Sequence, residues 1–269
     1  MRIRIVDAFT DRPFAGNPAG VLLLDSFPDD EWLQNVAAEV NLSETAFAHP
    51  LAAGGAADWA LRWFTPATEV DMCGHATLAT AHILNTTGAA DGTVRFAARC
   101  GILTATAQRD GAITLDFPTA PLTPEPEPEG LADALGAKVL SVRDTGPHIG
   151  DLLVELTDEK AVRSLSPDFA ALVAHSGRGI IATAPAADPG RGYDYVSRCF
   201  FPRVGIDEDP VTGSAHTALA PFWSARLGRD SLTGLQASAR SGLVKTTLRG
   251  DRTLLTGSAV TVIDGELQV

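Results

Sequence analysis

An internal repeat constrains the fold of this chain more than any other feature of its sequence. Residues 69–84 read EVDMCGHATLATAHIL, and residues 208–219 read EDPVTGSAHTAL. Both stretches begin with acidic residues, pass through a glycine and continue into small residues. A second matching pair, residues 99–103 and 240–244, has nearly the same separation along the chain. Two agreeing separations indicate a duplicated fold, so we expect two similar halves.

The stretch after His75 predicts a buried helix over residues 75–84, because its apolar residues recur at helical spacing. These residues are Ala76, Ala79, Ala81 and Leu84. Gly74 and His75 would then lie in the first turn of the helix. Unpaired backbone N–H groups and the positive end of the helix dipole make such a turn a binding site for an anion. A second helix is predicted over residues 214–227.

The boundary between the halves is predicted at a Pro-rich acidic stretch, residues 118–130, which reads PTAPLTPEPEPEG. Proline disfavours both a central strand and a helix interior, so this stretch is typical of a linker. We therefore predict one α/β half at residues 1–118 and a second at residues 119–269, with a last strand that is able to pack on the first half. In a duplicated fold the two helix starts can face each other across a cleft, and ligands favour such clefts.

Composition excludes several classes of partner. The chain has 269 residues and a net charge of −12, whereas nucleic acids and anionic membranes need a basic surface. No apolar run has the length of a signal peptide or a membrane span. The three cysteines form no disulfide framework, which is typical of reduced thiols and predicts a cytoplasmic location.

Three carboxylates are candidate functional groups. Glu44 follows Asn41 at the spacing of a capping box, but the residues after it are typical of a strand, where Glu44 could act as a general base. Asp71 and Asp209 lie just before the two glycines of the repeat. Each could cap the helix that follows, and one of them could orient His75 or contact a substrate.

Cys73 and His75 lie at the start of the first helix. His75 could be a general acid or a hydrogen-bond donor, and Cys73 a thiol activated by the helix N-terminus. These two residues are too few for a zinc site, so we predict no metal. A racemase with two thiols would need a second cysteine in the other half, where the repeat has Thr212. Ser214 lacks the Gly-x-Ser-x-Gly motif of a serine hydrolase, and no nucleotide-binding motif is present, so no cofactor is expected.

Four sequence blocks resemble the PhzF-like family of phenazine biosynthesis proteins. They are DAFTDRPFAGNPAGV (7–21), NLSETAF (41–47), RWFTPATEVDMCGHATLATA (62–81) and DEDPVTGSAHTAL (207–219). The resemblance implies the diaminopimelate-epimerase-like α+β fold, in which two similar halves each curl a mixed sheet around a central helix. It also implies a homodimer that uses no metal or organic cofactor.

The resemblance also implies roles for individual residues. The proton-transferring glutamate of the family, which isomerises trans-2,3-dihydro-3-hydroxyanthranilate, matches Glu44, and its histidine and aspartate match His75 and Asp209. Substrate-contacting positions match Asn17, Ser43, Gly74, Gly213 and Ser214. Cys73 belongs to a Cys-Gly-His-Ala-Thr block that is typical of a broad, mostly uncharacterised branch, and it is similar to a catalytic thiol of the epimerases.

Three functions follow as hypotheses. The leading one is a cofactor-independent isomerase that moves a proton between carbons of a small anionic substrate, with Glu44 as acid and base. The second is a racemase or epimerase of an amino or hydroxy acid that uses Cys73 with a carboxylate. The third is a non-catalytic protein that binds small molecules on the same fold.

Overall fold

A computed structural model describes residues 1–175 and 177–268 of the chain. The chain divides into two compact units, and both boundaries fall inside strands. Unit 1 comprises Met1–Asp116 with Thr256–Val269, and unit 2 comprises Phe117–Leu255. The C-terminal strand is therefore part of unit 1. The division into an N-terminal half ending at residue 118 and a C-terminal half stays a prediction. No helix in the described ranges is long and apolar enough to cross a membrane.

The N-terminal part of the chain contributes eight strands and two helices. The strands are β1 (Arg2–Ala8), β2 (Asn17–Leu23), β3 (Glu44–Pro50), β4 (Trp59–Phe64), β5 (Glu69–Val70), β6 (Thr93–Ala98), β7 (Gly101–Ala107) and β8 (Ile113–Pro118). The helices are α1 (Asp30–Val40) and α2 (Gly74–Thr86). The described residues after 118 contribute ten strands and four α-helices. The strands are β9 (Thr123–Glu125), β10 (Val139–Asp144), β11 (Asp151–Leu156), β12 (Gly179–Pro185), β13 (Tyr195–Phe201), β14 (Ile206–Asp209), β15 (Ser231–Gln236), β16 (Gly242–Arg249), β17 (Arg252–Gly257) and β18 (Ala259–Glu266). The helices are α3 (Leu131–Leu135), α4 (Glu159–Arg163), α5 (Phe169–Leu172) and α6 (Gly213–Leu227).

Unit 1 is a mixed sheet curled around α2. Strand β1 pairs antiparallel with β18 and β2, β2 pairs parallel with β3, and β3 pairs antiparallel with β4. Strand β4 also pairs parallel with β6. Strand β6 pairs antiparallel with β7, and β7 pairs antiparallel with β8. Helix α2 packs against β1, β2, β3, β7 and β18. Because one helix contacts strands from distant parts of the sheet order, the sheet must wrap around it.

Helix α2 is buried on nearly all sides, which is why its sequence is rich in small and apolar residues. Helix α1 is different, since it packs only one face on the outside of the sheet. Leu33, Val36 and Ala37 of α1 meet Leu22 of β2 and Phe47 of β3 there. This helix is also the connection between the parallel strands β2 and β3, as such a pairing requires.

Unit 2 repeats this plan. Strands β11 and β12 pair parallel, as β2 and β3 do, and the short helices α4 and α5 connect them. Helix α6 buries Ala218, Leu219 and Trp223 against Leu153 of β11 and Ile181 of β12. The short helices pack with the opposite faces of the same strands. The predicted α+β fold, with a curled mixed sheet around one helix in each half, is confirmed.

Matching ion pairs support the duplication at the level of single residues. Arg62 on β4 binds both carboxylate oxygens of Glu69 at 2.7 and 2.8 Å. Arg198 on β13, in the corresponding strand of unit 2, binds both carboxylate oxygens of Glu208 at 2.7 and 2.8 Å. Bidentate pairs of this kind fix the geometry between neighbouring segments. Each unit therefore holds the segment before its buried helix in the same way.

The Pro-rich stretch at residues 118–130 differs from the linker that its sequence predicts. It contains the three-residue strand β9, which pairs with β10. The pairing involves only three residues of β9, Thr123–Glu125, with Pro124 opposite Arg143. Proline is compatible with so short a pairing, because proline is tolerated where a backbone N–H group is not needed for the sheet.

Candidate active site

Four side chains of unit 1 meet at the start of α2. Asn17 is the first residue of β2 and Glu44 is the first residue of β3. Because β2 and β3 are parallel, their first residues lie at the same edge of the sheet. Cys73 precedes α2, and His75 is the second residue of that helix. The strand position of Glu44 rules out the capping-box interpretation of this residue.

The imidazole of His75 is the centre of this cluster. Its Nε2 lies 3.4 Å from Oε2 of Glu44 and 3.4 Å from Oγ of Ser43. On the other side of the ring, Nδ1 lies 3.3 Å from Nδ2 of Asn17 and 3.5 Å from Sγ of Cys73. The sequence-predicted residues Glu44, His75, Asn17, Ser43 and Cys73 are therefore brought together.

Asn17 defines the proton position on His75. In the orientation that the structure gives the Asn17 amide, Oδ1 accepts a hydrogen bond of 3.2 Å from Ser43 and Nδ2 faces His75. An amide nitrogen only donates, so Nδ1 of His75 must accept. In the neutral imidazole the proton is then on Nε2, where it faces the Glu44 carboxylate.

Burial makes this carboxylate–imidazole pair suitable for acid–base chemistry. The side chain of His75 is 6% exposed and that of Glu44 is 15% exposed. Little water reaches the pair, so its hydrogen bonds are stronger than those of a solvated pair and a bound molecule meets both groups directly. Glu44 can thus exchange protons with a substrate, and His75 can donate a hydrogen bond at the same place.

The first turn of α2 leaves backbone donors for a ligand. Cys73 is the N-cap residue, yet its side chain makes no capping hydrogen bond, and no acidic residue lies in the first turn. The prediction that Asp71 caps this helix is therefore wrong. Asp71 is exposed and lies 3.6 Å from Arg99. The N–H groups of the turn and the helix dipole are suited to an anionic group.

The corresponding turn of unit 2 contains Asp209, Thr212 and Gln236. Thr212 donates a short side-chain hydrogen bond to the Asp209 carboxylate. The amide of Gln236 accepts from the backbone N–H of Thr212 and donates to the backbone carbonyl of Asp209, both at 2.8 Å. Thr212, whose side chain makes no capping bond, is the N-cap residue of α6, so the prediction that Asp209 caps the helix is also wrong. Asp209 is instead a buried, oriented carboxylate beside the first turn.

Ser214 lies in the first turn of α6 and contacts Arg178, which the sequence did not indicate. Arg178 donates to Oγ of Ser214 at 3.1 Å and holds both oxygens of Asp151 at 2.9 and 2.6 Å. Burial raises the pKa of the Asp151 carboxyl, and the pairing with Arg178 opposes that shift. The repeat motif does not include Asp151 or Arg178. These two residues also differ in type from Asn17 and Ser43, the residues of unit 1 with which they compare.

Cys199 is not a second catalytic thiol. It lies on β13, paired in register with Asp209, and is fully buried. Burial raises the pKa of the Cys199 thiol well above its usual value, and the neighbouring carboxylates act in the same direction. The thiol is therefore protonated and unreactive.

A metal ion would find oxygen, sulfur and nitrogen donors at Glu44, Cys73 and His75, all within 4.8 Å of one another. This donor set is chemically acceptable for zinc. However, the carboxylate is nearest to Nε2 of the imidazole and the thiol is nearest to Nδ1, so the two flank opposite ring nitrogens. The absence of a metal cofactor stays a prediction.

The fold and the site together define an α+β protein of the racemase and epimerase architecture, with an acid–base cluster at a helix start. A hydroxyproline epimerase from Agrobacterium vitis shares this fold, with a TM-score of 0.63 at 14% sequence identity, covering 98% of this chain and 91% of that one. The chain belongs to the PhzC-PhzF family of phenazine biosynthesis-like proteins, whose model matches residues 6–265.

Individual relatives agree with this assignment. An uncharacterised isomerase from Halalkalibacterium halodurans is 47% identical over 98% of this chain and 97% of its own length. The crystal structure of a PhzF-family phenazine biosynthesis protein from Enterococcus faecalis has a TM-score of 0.91 and 39% identity, covering 100% of this chain and 99% of that one. The relatives that are named isomerases support an isomerase-type enzyme.

Proposed function

We propose that this protein is a cofactor-independent isomerase that moves a proton between two carbons of a small anionic substrate. The observation that carries the proposal is the 3.4 Å approach of Glu44 Oε2 to His75 Nε2 in a nearly dry cluster at the start of α2. A cyclic substrate of the dihydro-hydroxyanthranilate type fits this chemistry, because its conjugated system can accept the electron pair of a broken C–H bond.

Glu44 is the acid and base of the proposed reaction. Its carboxylate takes a proton from one carbon, and the electron pair of that C–H bond enters the conjugated system and shifts a double bond. Glu44, whose side chain is 15% exposed, exchanges this proton with solvent and then donates a proton to a second carbon. His75, with its proton on Nε2, stabilises the negative charge that develops between these steps or relays the proton.

The remaining predicted residues bind the substrate in this proposal. Asn17 and Ser43 orient His75, and the N–H groups at Gly74 and Gly213 bind anionic groups. Asp209 and Ser214 hold polar groups of the substrate. We further propose that the enzyme is a cytoplasmic homodimer that needs neither metal nor organic cofactor.

Deuterium transfer tests the proposal directly. Trans-2,3-dihydro-3-hydroxyanthranilate and a panel of related cyclic acids are incubated with the enzyme in deuterated water, and product is followed by proton NMR. We expect double-bond migration with deuterium at the new C–H position. Glu44→Gln should lower the rate about 10²–10⁴-fold, because general acid–base catalysis contributes that range.

The exposed residue Glu39 on α1 provides the matched control, since Glu39→Gln makes the same chemical change away from the cluster. Its rate should equal that of the wild-type enzyme. A Glu44→Gln enzyme that keeps more than about a tenth of the rate would exclude Glu44 as the base.

A second candidate, an epimerase of an amino or hydroxy acid, is favoured by one observation. Sγ of Cys73 lies 3.5 Å from Nδ1 of His75 and Oε2 of Glu44 lies 3.4 Å from Nε2, so a thiol and a carboxylate lie beside different nitrogens of one imidazole. Two acid–base groups on different sides are what inversion of a carbon centre requires. The same NMR experiment separates the candidates, because an epimerase introduces deuterium at a stereocentre without moving a double bond.

A further inference from the structure

The same three-residue arrangement occurs in both units. In unit 1 it consists of Asn17, Ser43 and His75. Asn17 begins β2, Ser43 precedes β3, and His75 lies in the first turn of α2. Ser43 connects the other two, because its hydroxyl donates to Oδ1 of Asn17 at 3.2 Å and lies 3.4 Å from Nε2 of His75.

In unit 2 the comparable residues are Asp151, Arg178 and Ser214, with Asp151 two positions further along its strand than Asn17 when the parallel pairings are aligned. Asp151 begins β11, Arg178 precedes β12, and Ser214 lies in the first turn of α6. Arg178 again connects the other two, through hydrogen bonds of 2.9 and 2.6 Å to Asp151 and of 3.1 Å to Ser214. The duplicated fold therefore replaces a neutral hydroxyl with a guanidinium cation at one position.

This replacement fixes the polarity of the Ser214 hydroxyl. Arginine only donates hydrogen bonds, so Oγ of Ser214 must accept from Arg178. The hydroxyl proton of Ser214 is then left to donate elsewhere. Within residues 1–175 and 177–268 no acceptor for that proton is found, so it is available to a bound molecule.

Arg178 is held rigidly while it does this. The Asp151 side chain that binds it is fully buried, and the ring of Phe201 lies 4.8 Å from the guanidinium carbon. The Arg178 side chain itself is 36% exposed, so its charge also acts on the space outside. A fixed donor next to a fixed cation is complementary to an anion, and its ordering does not have to occur on binding.

We propose that Arg178 is a positioning residue that fixes Ser214 as a hydrogen-bond donor to a carboxylate of the substrate, so that the first turn of α6 selects carboxylates over neutral analogues. This inference rests on the proposed function, because it takes the first turn of α6 as part of the substrate site.

Calorimetric titration with anthranilate and anthranilamide tests the proposal, because the two probes differ only in carboxylate versus amide. Arg178→Gln should weaken anthranilate binding about 10- to 100-fold, the range of a charge-assisted hydrogen bond, and change anthranilamide binding less than threefold. Arg178→Lys should recover part of the preference, since it keeps the charge but not the planar fork of donors.

A double-mutant cycle shows whether Arg178 acts through Ser214. If it does, Ser214→Ala and Arg178→Gln weaken anthranilate binding by similar factors, and the double variant is little weaker than either single variant. Full additivity of the two losses would overturn the positioning role.

Two further variants control for folding. Removing Arg178 alone leaves Asp151 buried without its partner, so the pair D151N/R178Q keeps a neutral hydrogen-bonded contact there. Arg226→Gln is the matched surface control, because Arg226 is 34% exposed, pairs with Glu155 at 2.9 Å and stacks on Phe222. The pair variant should lose anthranilate selectivity, whereas Arg226→Gln should keep it.

The inference is overturned if Arg178→Gln weakens both probes equally, or if the wild-type protein binds the carboxylate no better than the amide. Failure of the proposed function has a different signature. In that case the carboxylate selectivity depends on Arg178 as expected, but no deuterium is transferred to any substrate of the NMR panel.

Discussion

The side-chain nitrogen of Asn17 lies 3.3 Å from Nδ1 of His75, on the side of the ring away from Glu44. This contact determines which tautomer of the imidazole faces the candidate base. With the proton on Nε2, His75 is a donor toward the carboxylate of Glu44 and toward a substrate bound beside it. A residue at the start of β2 thereby controls the chemistry of a residue on α2.

Asn17→Asp should therefore impair the enzyme without removing any acid–base group. A carboxylate at this position accepts a hydrogen bond from Nδ1–H, which leaves Nε2 without a proton and facing Glu44. We expect the rate of deuterium transfer to fall on the order of 10²–10⁴-fold, as a wrong imidazole tautomer does in other enzymes. Asn35→Asp, in the exposed face of α1, adds the same charge and should leave the rate unchanged. Equal rates for both variants would contradict the tautomer assignment.

Gly16→Ala should destabilise the loop that carries Asn17. Gly16 has φ +65°, and a Cβ there would lie 2.1 Å from the carbonyl oxygen of Ala8. Gly88 is the matched control, because its φ of +71° is similar but a Cβ there meets no atom within 4 Å. Gly88→Ala should cost about 1–2 kcal/mol from the left-handed backbone alone. The free energy of unfolding in urea should fall further for Gly16→Ala, and equal losses would show that the close contact relaxes freely.

The stability of the protein should depend on His216 in acid. This fully buried histidine forms a hydrogen bond of 2.9 Å with Tyr195, and burial lowers its pKa from 6.5 to about 3. Between these pH values the unfolded chain binds a proton at this residue and the folded chain does not. The free energy of unfolding should therefore fall as the pH drops from 6.5 toward 3, by about 1.4 kcal/mol per pH unit from this residue.

Urea unfolding of the wild-type protein and of His216→Gln at several pH values measures this slope. The variant should lose that part of the pH dependence. His148→Gln removes an exposed histidine and serves as the control, with a slope like that of the wild-type protein. An unchanged slope in His216→Gln would show that other groups cause the acid sensitivity.

The sequence predicted the two buried helices closely, because their small residues leave few alternatives. The first was expected at residues 75–84 and is Gly74–Thr86, and the second was expected at residues 214–227 and is Gly213–Leu227. The internal duplication was predicted from the segments that contain the starts of these two helices. Both are cases in which short-range pattern and long-range packing agree.

The caps and the cation of unit 2 were not predictable in the same way. Asp71 and Asp209 have the spacing of capping residues, but extended backbone at Cys73 and Thr212 places those residues at the caps instead. Arg178 differs in type from Ser43, so no comparison of residues aligns them. Only the strand positions in the folded sheets show that they are equivalent.

The uncapped helix starts have a consequence for the enzyme as a whole. A capping side chain normally contributes about 1 kcal/mol to a helix, and neither Cys73 nor Thr212 provides that contribution. In the proposed function, a substrate anion binds at these turns and takes the place of the missing side chain. The ligand then completes the secondary structure of the protein, so occupancy of the site and the thermal resistance of the fold rise together.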